Sequence, residues 1–178
     1  MGSIPIVQMA EMRSKIQEAV HSDKYSFVID MNGNADTYFK YQGRLFDFYK
    51  EWRAYKRNEQ TYEHTVEQLR SNMVEAMRFG KMFCINFGDR MIKMSECKSK
   101  HFQPDLHLDF ERGRLQDNYF KMIMADEKYD NHTRKINGAF HMTDTFNVVY
   151  LTESMDEDDL QTMINNLPHD RLEVMIVQ

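Results

Sequence analysis

Phe27-Val28-Ile29-Asp30-Met31-Asn32-Gly33-Asn34-Ala35-Asp36 is the stretch that decides the fold. An apolar run of buried-strand type ends on an acid and breaks into a turn of Asn and Gly, residues that tolerate positive φ. A second segment, Thr65–Asp89 (TVEQLRSNMVEAMRFGKMFCINFGD), runs from helix through a glycine stop to an apolar strand. Together they have the backbone layout of a phosphate-binding α/β core. The chemistry of such a core is missing. A phosphate loop needs G-x-x-x-x-G-K-[ST], so that backbone amides and a lysine cradle phosphates while a hydroxyl holds magnesium. Here the turn carries one glycine, and Lys40 stands well past the place of that lysine.

The strand at Met82–Phe87 carries the same message. Hydrolysis wants an acid at the strand end to hold magnesium and polarise water. The sequence reads Ile85-Asn86-Phe87-Gly88-Asp89, so Asn86 takes the carboxylate position and only Asp89, beyond the glycine, is acidic. With lysine, hydroxyl and carboxylate all lost, an enzyme is not expected, and Asp30, Asn32, Gly33 and Asn34 read as a vestigial nucleotide loop.

Working outward, apolar residues at Met9, Met12, Ile16 and Ala19-Val20 predict a helix over 6–21. Strands are expected at 25–30, 44–49, 82–87, 146–151 and 172–177. A helix from Glu59 to Phe79 ends at Gly80, whose freedom at positive φ suits a helix stop. Asp36–Tyr41 reads either as a short helix or as extended chain. A helix from Ser154 to Asn166 has Ser154 and Glu157 in capping-box register. The stretch 90–139 is polar, with one helix expected around Leu115–Met124. Strands separated by helices predict a doubly wound αβα sandwich on a parallel sheet, in one domain spanning 1–178.

Composition narrows the function. The chain has 178 residues, enough for one good core, and a net charge of −5 that argues against nucleic acid as a partner. Its two cysteines, Cys84 and Cys97, make no disulfide framework. Neither a membrane-spanning run nor a signal peptide is legible, so a cytoplasmic, reduced setting with no membrane partner is the expectation. Fifteen methionines serve as adaptable core filling or as a promiscuous binding surface.

Other chemistry fits less well. Asp30, Asn32, Asn34 and Asp36 alternate as calcium ligands do, but an EF-hand needs Gly at its sixth position and Glu at its twelfth, where Ala35 and Tyr41 stand. Cys97, His101, Asp105, His107 and Asp109 are zinc-ligand types without a closed zinc spacing. No metal and no cofactor are therefore expected.

The residues carry a family resemblance. Ile29-Asp30-Met31-Asn32-Gly33-Asn34-Ala35 resembles the I-D-P-x-G-Q-A segment of dynein heavy chains, which replaces the phosphate loop in the non-hydrolysing fifth AAA+ module of the ring. Val74–Asp89 resembles the same module's L-E-N-A-I-x-F-G-x-P-V-L-L-E-N-V-G-E. Phe146–Thr152 looks like its F-R-x-Y-I-T-T strand, and Arg171–Val177 like the strand that closes its core. The match covers roughly 25–89 and 145–178, leaving 90–139 unmatched. Met31 replaces the family's proline, and Tyr38 or Phe39 stands for its tryptophan.

The resemblance implies an AAA+ or P-loop-like five-stranded parallel sheet, with the fifth strand beside the first, then the fourth, third and second. With Gln178 following the last strand, a helical lid subdomain is not expected. It also implies a catalytically inactive module that is a structural or binding subunit of a larger assembly, in a cilium or flagellum. The alternative is a nucleotide-binding switch without efficient hydrolysis. Its partners would be other protein subunits, with Trp52, in the aromatic stretch Tyr38–Tyr55, as the anchor of an interface.

Overall fold

The computed structural model describes residues 4–90, 93–104, 122–124, 140, 142–154, 156–167 and 171–178. Among them, strands β1 (Ile6–Val7), β2 (Tyr25–Asp30), β3 (Arg44–Asp47), β4 (Met82–Asn86), β5 (Asn147–Thr152) and β6 (Leu172–Val177) form one sheet in the order β1-β6-β2-β5-β4-β3. All pairings are parallel. Leaving β1 aside, this is the order expected from the sequence. Helices α1 (Met9–His21), α2 (Asn34–Gln42), α3 (Phe48–Lys56), α4 (Tyr62–Phe79) and α5 (Glu157–Asn165) connect the strands.

Alternation along the strands sends residues to two cores. Tyr25, Phe27 and Ile29, with Phe83, Ile85, Val148 and Tyr150, join α3, α4 and α5 in the larger cluster. Val28, Cys84, Val149 and Leu151 face the other way, onto Met12 and Ile16 of α1 and Ala35 and Phe39 of α2. Burial on both faces explains why β2 and β5 are buried at every position. The layers are helix, sheet, helix.

Four expectations are corrected. The sheet has six strands, because Ile6–Val7 is extended and the first helix starts at Met9 and not at 6. Ile176 and Gln178 donate to the carbonyls of Pro5 and Val7, and Met9 donates to Gln178. Pro5 has no N–H to return, which is why the β1 ladder is so short.

The second strand ends at Asp47, not 49. The Asp47 carboxylate accepts the Lys50 N–H at 2.9 Å and caps α3, so Phe48 is already helical. At the last helix the cap is Asp156, accepting from Asp159 N–H at 2.9 Å. The helix therefore starts at Glu157, and Ser154 instead donates its N–H to Thr152 Oγ1.

The stretch 90–139 is not simply a polar loop. Its described residues Met94, Cys97, Phe102, Met122 and Ile123 are buried in the larger core. Arg70, buried in α4, pairs with Glu67 and donates to the Met122 carbonyl at 2.6 Å. Residues 115–121 of the expected 115–124 helix lie outside the described residues, and 122–124 are not helical.

Gly80 closes α4 in the left-handed conformation (φ 60°), with Lys81 N–H returning to the Ala76 carbonyl. Thr145 donates its hydroxyl to the Gly80 carbonyl and so ties the approach to β5 onto this helix end.

Candidate functional site

β2 delivers Asp30 to the C-terminal edge of the sheet, where ligands of open α/β folds bind. Asp30 is 2% exposed. Its carboxylate turns back into the loop that follows, accepting the Asn32 N–H at 3.1 Å and the Ala35 N–H at 2.7 Å. Gly33 lies between them with φ 70° as the residue entering α2, a left-handed position that favours glycine. Asn34, read from sequence as a second positive-φ residue, is the first residue of the helix instead.

A helix N-terminus binds an anion through free backbone N–H groups. In this turn the anion is the chain's own Asp30, and two of the N–H groups that a phosphate would use are already taken. Lys40 points its charge elsewhere, pairing with Asp36 at 2.6 Å one helical turn away.

The second vestigial segment meets the first at Asp36. Asn86, buried at the end of β4, donates from Nδ2 to Asp36 at 3.4 Å and accepts the Gly88 N–H at 2.8 Å. Asp89 is exposed just beyond. Around this junction lies a cleft of about 290 Å³ lined by Asp36, Asp47, Tyr49, Asn86, Gly88, Asp89 and Glu153.

Four of those side chains are carboxylates, contributed from the ends of β3, β4 and β5 and from the first turn of α2. Glu153 shows the effect. Burial first, and then the charges of Asp30, Asp36, Asp89 and Asp47, hold its carboxyl above the usual range. Lys40 pairs with Asp36 and Arg90 with Asp89, but no ion pair among the described residues involves Asp47 or Glu153, so the lining carries excess negative charge, the reverse of a phosphate site. Among the described residues no cluster of three or more His, Cys, Asp or Glu is arranged to hold a metal ion.

Asp47 and Glu153 escape a reading by motif, yet each sits at or just past the C-terminal end of a strand. That position was the available signal. The cysteines offer no nucleophile. Burial pushes the Cys84 thiol well up and the Cys97 thiol to about 12, so both stay protonated at neutral pH. Of the candidate zinc ligands, Cys97 is buried with its thiol toward the Lys93 carbonyl, and Asp105, His107 and Asp109 lie outside the described residues.

Trp52 is half-buried on α3 and packs against the larger core, edge-on to Phe48 at 5.7 Å and to Tyr55 at 5.2 Å. Much of this ring braces the fold, and what remains outward is shared with Lys56. No helix among the described residues is long and apolar enough to cross a membrane. No protein-family model, curated protein or solved structure matches this chain.

Proposed function

We propose that this chain is a catalytically inactive AAA+-like module, similar to the fifth module of dynein heavy chains, that works as a structural or binding subunit of a larger protein assembly. A ciliary or axonemal assembly, with cytoplasmic access, is the setting the resemblance favours. One observation carries the proposal: the Asp30 carboxylate occupies the amides of the turn where a nucleotide phosphate would sit. The acidic cleft beside it adds a second obstacle, since a triphosphate entering there would meet Asp36, Asp47, Asp89 and Glu153, and the two cations at hand, Lys40 and Arg90, are already paired with Asp36 and Asp89. A fold that keeps the framework of a nucleotide machine while filling its own phosphate position is suited to holding partners in place.

The alternative, a nucleotide-binding switch, has no observation in its favour at this turn. A thermal melt with and without Mg-ATP separates the two. Ligand at 100 times its dissociation constant stabilises by about 2.7 kcal/mol. For a chain of this size that is roughly 5–10 °C. The expected result is no shift and no phosphate release; a shift of several degrees at millimolar nucleotide replaces the inactive module with the switch.

A further inference from the structure

Every exposed residue of α3 is a cation. Along Phe48–Lys56 only Lys50, Arg53 and Lys56 are exposed, and all other positions are buried or half-buried. They recur at every third position, so they form a ridge that climbs the helix by about 4.5 Å per step. Among the described residues, no carboxylate lies within ion-pair distance of any of the three. Lys15, Lys24, Lys40, Arg44, Arg57 and Lys93, by contrast, each have one.

Two of the ridge cations, Arg53 and Lys56, are held over aromatic rings instead. The Arg53 guanidinium lies 5.2 Å from the centre of the Tyr49 ring, and the Lys56 ammonium lies 5.1 Å and 5.2 Å from those of Trp52 and Tyr55. Such contacts restrain a long side chain without neutralising it. The rings are themselves fixed, with Tyr55 edge-on to Tyr62 and with Tyr49, Trp52 and Tyr62 packed on the larger core. In a chain of net charge −5, this helix presents a row of three exposed cations, two of them pre-positioned over rings, without a direct ion pair among the described residues; Glu59 acts on Arg53 only at longer range.

We propose that the α3 ridge is a docking surface for an acidic helical segment of a partner protein. Charge complementarity selects the acid, and spacing selects the helix. Carboxylates at i and i+3 of a helix repeat at the same ~4.5 Å step, whereas one face of an extended strand repeats at roughly 6.5–7 Å. Cations already restrained lose less freedom on binding than free side chains do.

Nucleic acid fits less well. Affinity for it grows with the number of phosphates neutralised, and the acidic cleft at Asp47 and Asp89 begins where α3 begins. The ring faces that bases would stack on are taken by Arg53 and Lys56.

The proposal deepens the subunit function above and rests on it. The two fail separately, because the Mg-ATP melt reads the Asp30 turn and the experiment below reads α3. Fluorescence anisotropy would follow a fluorescein-labelled helical peptide of about 20 residues with Glu at i, i+3 and i+6. The controls are its Gln counterpart and a labelled single-stranded oligonucleotide. At low salt the Glu peptide should bind saturably and the Gln peptide should not.

Arg53→Glu/Lys56→Glu should weaken binding by about tenfold or more, and added salt should weaken it further. Both positions are exposed, so the circular dichroism of the variant should match that of the wild type. Arg53→Gln/Lys56→Gln should show a smaller loss and decides the matter if the double reversal fails to fold. Absence of saturable binding, equal affinity of wild type and folded variants, or preference for the oligonucleotide each overturn the proposal.

Discussion

Asp30→Ala removes the acceptor from two backbone donors at once. The Ala35 N–H is the costlier loss, because Ala35 is fully buried and its 2.7 Å bond runs to a charged oxygen. Bonds to charged groups contribute about 1.5–3 kcal/mol. The Asn32 N–H belongs to an exposed residue, so water replaces most of its 3.1 Å bond. The helix that follows also loses the anion at its N-terminus, worth about 0.3–1 kcal/mol. Against these stands relief of repulsion with Glu153 and the other carboxylates of the cleft, about 0.5 kcal/mol because those partners, unlike Asp30, are largely open to solvent.

The net expected loss is about 1.5–3.5 kcal/mol, or roughly 3–14 °C in Tm for a domain of this size. Urea unfolding followed by the fluorescence of Trp52, the chain's single tryptophan, and by circular dichroism measures it. The substitution also vacates the position that Asp30 fills. At matched ionic strength, inorganic phosphate should therefore raise the Tm of Asp30→Ala by more than that of the wild type, with the remaining acidic cleft keeping the gain small. A stability change below about 0.5 kcal/mol, within the range of ordinary surface substitutions, would refute the reasoning. So would a wild-type protein that gains as much from phosphate as the variant does.

Two further outcomes follow from the same chemistry. Glu153 has a carboxyl raised above its ordinary 4.5 in the folded state, so the native protein holds this proton more tightly than the unfolded chain. That contribution is present at low pH and is lost as pH rises through the folded value. Glu153→Gln should accordingly be more stable than wild type near neutral pH by a few tenths of a kcal/mol, given its exposure, with the difference vanishing below about pH 4.5; paired urea midpoints at the two pH values measure it. Arg70→Ala should cost about 2–4 kcal/mol in the same unfolding assay. It leaves a cavity and an unsatisfied Met122 carbonyl, but Glu67 is 41% exposed and is not stranded as a buried charge. A loss under about 1 kcal/mol would mean that Arg70 does not tie 122–124 to the core.

How much of this was legible in the residues depends on how local the cause is. The central strands read easily because burial on both faces makes Phe27–Ile29, Met82–Ile85 and Val148–Leu151 continuous apolar runs. The end of β3 does not, because Leu45, Phe46, Phe48 and Tyr49 satisfy a strand pattern while Phe48, Trp52 and Tyr55 satisfy a helical one. The Asp47 cap decides between them. β1 is too short to have a period at all.

At the site, Asp30 is conspicuous, but a carboxylate that fills its own turn and one that faces a ligand are the same letter. Only the two bonds to Asn32 and Ala35 tell them apart. The acidic cleft draws on residues 36, 47, 89 and 153, which lie on four separate segments and share no motif. The α3 ridge needed burial to be seen. Its cations are interleaved with aromatic residues in sequence, and they separate into a charged face and a packed face only once the helix is docked.

The position of β5 has a consequence for how the chain is made. β2, β3 and β4 all precede residue 87, but β2 touches neither of the other two strands; β5 lies between β2 and β4, and Phe27 is flanked by Tyr150 on one side and Val174 on the other. During synthesis the early strands therefore wait, with β3 and β4 able to pair and β2 left without a neighbour, until the residues after 146 leave the ribosome. Pairing at such sequence separation requires a large loop to close first, which makes assembly slow and exposes the apolar strand Tyr25–Ile29 in the meantime. A nascent chain of this design has a long interval in which a chaperone is useful and a sheet is not yet possible.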